Sequence, residues 1–170
     1  MTDAHATPTT EPAEVPGAAQ DPRTLPWRPN PGGPRSLPDA VTLAKARGVV
    51  IPDDLHFVVR DDMIPENSYA AYGGFQTHRS FCWADFYARG GKIPVKIRKS
   101  VLESDEAIVA VLAHEAYELN ALREIFEERP IVPGSEICRL IQPNIPGNLH
   151  DQAWDAADRL VLAMRSEGAC

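Results

Sequence analysis

Long apolar runs are missing from this chain. None approaches the roughly 18 residues of a membrane-spanning helix, and the N-terminus lacks the basic-then-apolar layout of a signal peptide. The expectation is a soluble protein without a membrane segment, cytoplasmic or delivered by a specialised secretion system that needs no such signal. Cysteine is scarce too: Cys82, Cys138 and Cys170 are odd in number and show no CxxC spacing, so neither a disulfide framework nor a cysteine zinc knuckle is indicated. Positive charge is in deficit. Lys and Arg number 17 against 24 Asp and Glu, a formal charge of −7 with no basic cluster, which disfavours nucleic-acid backbones as partners. Internal repeats are absent.

Proline, in contrast, is plentiful and unevenly placed, with nine of its 16 copies before residue 39. Residues 1–35 are mostly Pro, Ala, Thr, Gly and acids, too poor in apolar side chains to offset the entropy of ordering, and read as a disordered Pro-rich tail or linker. Residues 36–170 have the length of one domain, able to bury roughly two-thirds of the unfolded surface.

Local signals place the elements. Ser36 caps a short helix with Pro38 in its first turn, ending at Gly48. Leu55 to Arg60 reads as a strand, and Lys92 to Arg98 alternates apolar Ile93, Val95 and Ile97 with basic residues as a second. Pro94 assigns that second strand to a sheet edge, where a missing N–H does least harm. Ser104, with Asp105 and Glu106 behind it, caps a long helix that Pro130 stops. A short strand is predicted over Glu136 to Ile141, and Asn148 caps a final helix running to about Ser166. This order of helix, strands, long helix, loop and helix indicates an α+β domain.

The long helix carries His114-Glu115-Ala116-Tyr117-Glu118, an H-E-x-x-E pattern inside an apolar stripe of Val111, Ala121 and Ile125. His114 and Glu118 are four apart and share one face, where burial of an unpartnered imidazole and carboxylate would be costly. A metal ion would satisfy both. Zinc sites on helices use two ligands one turn apart and an adjacent glutamate as base, here Glu115. His150, in the first turn of the final helix and on its packed face with Ala153, Trp154, Ala157 and Val161, is the third ligand predicted. Asp151, Asp155 or Asp158 could receive the other N–H of a ligating histidine, with Asp158 favoured by its position beside Trp154 and Val161.

A strand, an H-E-x-x helix, a loop and a second helix with the last ligand resemble the zincin-like metallopeptidases in their H-E-x-x-E variant. More narrowly, LESDEAIVAVLAHEAYEL followed by GNLHDQAWDAAD is similar to metallopeptidase-like domains at the C-termini of bacterial polymorphic toxins. The resemblance covers roughly Lys92 to Met164. It implies a zincin-like fold with a small twisted sheet, Zn2+ as cofactor, and Glu115 as general base. It also implies a peptide or protein substrate that adds to the edge strand near Lys92 to Arg98, and an immunity protein as partner. Glu118 stands where the usual motif has histidine and His150 where thermolysin-like enzymes have glutamate, so the ligand inventory is preserved but permuted.

Two rivals stand beside this reading. Two histidines and a carboxylate also describe non-haem iron enzymes. Alternatively, the domain is a non-catalytic interaction module whose His114 and Glu118 are paired within the protein. Tyr117 and His78 are secondary candidates for stabilising an oxyanion, although packing and an ordinary loop position are the commoner roles for such residues. His56 alternates outward within its strand, and the aromatic residues from Phe75 to Tyr87 read as core.

Overall fold

The computed structural model describes residues 26–64, 68–72, 80–87, 90–143 and 145–168. The first helix, α1, spans Leu37–Ala46. Ser36 accepts the Asp39 N–H at its start, and Gly48 closes its end at φ +91°, a left-handed turn that glycine takes without strain. Strands β1 (Leu55–Val59), β2 (Ala70–Tyr72), β3 (Ser80–Phe81) and β4 (Ile93–Ile97) precede the long helix α2 (Asp105–Glu128). Strand β5 (Val132–Pro133), helix α3 (Gly134–Ile141) and helix α4 (Leu149–Glu167) complete the chain. The architecture is a mixture of helices and small sheets, consistent with α+β.

β4 lies in the middle of a three-stranded sheet, parallel to β1 on one side and antiparallel to β2 on the other. This corrects the edge position expected from Pro94. The Ile93 N–H donates to Asp54 on the β1 side and the Arg98 N–H to Tyr69 on the β2 side, so even-numbered nitrogens of β4 face β2. Pairing with β2 covers only Val95 to Ile97. Among the described residues the β2 ladder ends at Tyr72, opposite Val95, and none of its hydrogen bonds calls on the Pro94 nitrogen.

Glu136 to Ile141, predicted as a strand, is instead most of α3. Ile137, Leu140 and Ile141 recur at helical spacing, with Ile137 fully buried and the others partly so, and a helix is the conformation that brings them to one side. The strand lies just before it, where β5 pairs antiparallel with β3.

Ser104 caps α2 by accepting the Ala107 N–H at 3.2 Å, and Arg129 ends it in an extended conformation, as a residue before proline must. From Ala107 to Ala113 every side chain of α2 is buried. α1 and α4 cover two of its sides, and Phe57, Ile93, Val95 and Ile97 of the sheet join the same core. None of the helices among the described residues is long and apolar enough to cross a membrane.

Residues 26–35, grouped by composition with the tail, are attached to the domain. Trp27 packs on Tyr69 at 4.7 Å, and the Arg28 guanidinium donates to buried Glu106 at 2.5 Å. Asn30 accepts the Asp105 N–H at 2.8 Å, and Arg35 pairs with the Asp105 carboxylate at 2.6 Å. These polar side chains match the open N–H groups and acids at the start of α2, a complementarity that a count of prolines does not register.

Candidate metal centre

His114 and Glu118 project from the middle of α2 toward α4, and the Asn148 cap sets His150 in the first turn of α4 opposite them. The cap is reciprocal: Asn148 accepts the Asp151 N–H at 2.9 Å, and Asp151 accepts the Gly147 N–H at 2.8 Å. Antiparallel packing of α2 and α4 then brings the three side chains together. One donor atom from each of His114, Glu118 and His150 lies within 4.8 Å of the others.

Glu118 is the hub. Its Oε1 faces His114 Nε2 at 3.2 Å and His150 Nδ1 at 2.7 Å, while Oε2 accepts the Tyr72 hydroxyl at 2.6 Å. Burial opposes its ionisation, but the hydrogen bonds from His114 and His150, then the His114 charge and Tyr72, outweigh that and hold the carboxyl at about 2. Only 4% of the Glu118 side chain is exposed, against 22% for His150, so the cluster meets solvent through His150.

Tyr72 is buried in β2. Burial first, then the neighbouring Glu118 and Glu115 carboxyls, push its phenol well above the usual range, so it stays a neutral donor. Glu115 is buried on the adjoining face of α2, among the apolar residues its helical angle places there. Its Oε2 has no hydrogen-bond partner among the described residues, and burial followed by the Glu118 charge pushes its carboxyl well above the ordinary range.

Trp154, one turn after His150, completes the group. Its ring lies 4.3 Å from that of His114, and its indole N–H donates to His150 Nε2 at 3.2 Å. Asp158 is buried a further turn along α4, Asp155 is exposed, and Asp151 serves the cap. Tyr117 opens instead into a cleft of about 740 Å³ shared with Val50, Asn120 and Leu160. His56 points outward from β1, and His78 lies outside the described residues.

The donor set suits a transition metal. Donors about 2.0–2.1 Å from a tetrahedral zinc stand about 3.3 Å apart, which the His114–Glu118 spacing matches, and the shorter His150–Glu118 spacing is that of a hydrogen bond. Two nitrogens and one carboxylate oxygen are the inventory of a catalytic zinc site with an open position. Tyr72 and Trp154 were not singled out by sequence as site residues. Trp154 had a signal, its i,i+4 spacing from His150 on a packed face, whereas Tyr72 reaches Glu118 only through the pairing of β2 with β4.

Comparison with protein families, with curated proteins and with solved structures finds no match to this chain.

Proposed function

We propose that the chain is a zinc-dependent, metallopeptidase-like hydrolase in which His114, Glu118 and His150 hold the ion. The observation that carries this reading is the convergence of those three donors in a buried site beside Glu115, whose carboxyl oxygen Oε2 is buried without a partner among the described residues. Zinc, when bound, supplies Lewis-acid polarisation and acidifies water. Glu115 is the proton acceptor: burial and the Glu118 charge raise its affinity for a proton, as a general base working near neutrality requires. Tyr72 holds Oε2 of Glu118, leaving Oε1 for the ion. β4 is paired on both sides; among the described residues β2, which carries Tyr72, has no strand on its outer edge, and it is there that a peptide would add next to the site.

A specific observation favours a second reading, a non-catalytic binding module. Glu118 accepts from Tyr72 and His150 with His114 Nε2 at 3.2 Å, and His150 is bonded at both ring nitrogens, so these two ligand candidates are engaged by protein groups alone. Elemental analysis of the purified protein separates the two. About one zinc per chain, lost in Glu118→Ala and His150→Ala, with peptidase activity abolished in Glu115→Gln, supports the hydrolase. No metal in any sample, with melting indifferent to chelator, supports the module.

A further inference from the structure

The two hydrogen bonds of His150 define where its proton sits. An indole N–H can only donate, so Nε2, at 3.2 Å from Trp154 Nε1, must be the acceptor. The ring proton then resides on Nδ1, where the ionised Glu118 accepts it at 2.7 Å. The two ring centroids stand 6.4 Å apart with their planes at 83°, so the rings meet through the Nε1–Nε2 contact and do not stack.

A metal ion ligated by His150 needs a lone pair, not a proton, on the ligating nitrogen. Ligation through Nδ1 requires its proton to leave and the neutral ring to carry one on Nε2, and there it would face the Trp154 N–H, donor against donor. Turning the ring over to ligate through Nε2 meets the same obstacle, because that lone pair is already engaged. Either way the Trp154–His150 bond has to break. The indole also packs against His114, so its displacement is felt at a second ligand.

We propose that Trp154 is a latch on the metal centre: its indole N–H holds His150 in the Nδ1–H tautomer and opposes ion entry until it swings away. The proposal rests on the zinc reading above and adds to it a regulation of the same site. Trp154 is a positioning residue, acting on the ion through His150. It also accounts for one site being compatible both with a closed hydrogen-bonded cluster and with a ligand set.

The test compares the wild-type chain with Trp154→Phe, which keeps a ring against His114 without the N–H, and Trp154→Leu, which removes both. Zinc affinity is measured by competition with a chromophoric chelator, and the His150 nitrogens and Trp154 indole proton are followed by NMR. In the metal-free wild type, Nδ1 is expected to carry the proton and the indole N–H to show a hydrogen-bonded shift that is lost on zinc addition. Both variants are expected to bind zinc about three- to ten-fold more tightly, the range that one neutral hydrogen bond supports. A role in packing alone would weaken binding, most in Trp154→Leu.

A proton on Nε2 in the metal-free wild type overturns the proposal, as does equal or weaker zinc binding in both variants. Zinc bound by none of the three proteins overturns it as well, but that failure belongs to the metal reading and is recognisable because the NMR tautomer is read without any ion. Thermal melts of the metal-free variants identify any that fail to fold, in which case the wild-type indole shift on zinc addition decides alone.

Discussion

At the scale of single residues the molecule turns on buried Glu118, which accepts hydrogen bonds from Tyr72 and His150 and faces His114 Nε2 at 3.2 Å. Glu118→Ala removes the acceptor of the Tyr72 and His150 hydrogen bonds and the carboxylate facing His114, and is expected to cost roughly 3–5 kcal/mol in metal-free denaturant unfolding, the cost of breaking a buried charged pair. Tyr72→Phe removes one bond to a charged group and should cost about 1.5–3 kcal/mol in the same measurement. Glu115→Gln is expected to behave in the opposite sense. Because the fold raises the Glu115 carboxyl above its ordinary value, stability is lost as pH rises above the unfolded value of 4.5 and through the folded one. The Gln variant, which has nothing to ionise, should therefore melt higher than wild type at pH 8 without metal while losing any hydrolytic activity. A lower melting point at that pH would contradict the account of Glu115.

At the scale of elements, the start of α2 is held by charge. Glu106 is buried in the first turn, where the helix dipole favours an anion. Burial opposes its ionisation, but Arg165 from α4 and then the backbone and side chain of Arg28 overcome that and bring the carboxyl from 4.5 down to about 2. A carboxyl lowered by the fold contributes stability that is complete above its unfolded value and is lost as pH falls toward the folded one. Roughly 3 kcal/mol should disappear between about pH 5 and pH 2. Arg165→Met is expected to lower stability at pH 7 and to flatten that acid limb, as denaturant midpoints at several pH values would reveal. An unchanged slope would mean that Arg165 does not set the Glu106 carboxyl.

The elements also differ in how legible they were. α1, α2 and α4 begin at Ser36, Ser104 and Asn148, residues whose side chains accept the N–H three positions on, and caps of this kind are local chemistry visible in a sequence. Glu136 to Ile141 is a short apolar-rich segment, for which period alone separates helix from strand poorly, so the sequence predicts a strand where α3 forms. The edge assignment of β4 failed for a different reason. Pro94 signals only that one N–H is absent, and whether a neighbour needs that N–H depends on where β2 stops.

At the scale of the whole molecule, the His114–Glu118–His150 cluster ties α2 to α4, and on the proposed zinc reading stability should depend on ion concentration. If only the folded chain binds, zinc at a hundred times its dissociation constant adds about 2.7 kcal/mol, and a chelator returns the melt to its metal-free value. The same scale governs residues 26–35. A chain lacking residues 1–35 should be less stable than one lacking residues 1–25, because only the former loses the Arg28–Glu106, Asn30–Asp105 and Arg35–Asp105 contacts. Equal melting points would show that these contacts contribute nothing net.

The sequence by itself determined the helix caps, the burial of the long helix, and three candidate ligands, because each follows from periodicity and from groups a few residues apart. Only the tertiary structure decided that Tyr72 completes Glu118, that His150 of α4 meets Glu118 of α2, and that β4 is central. These depend on which surfaces meet across 46 or 32 residues of chain, or on where a partner strand ends, and no local pattern encodes such meetings. The proposed latch has the same origin: it depends on α2 and α4 bringing His150 to Glu118 while the Trp154 indole N–H holds its other nitrogen.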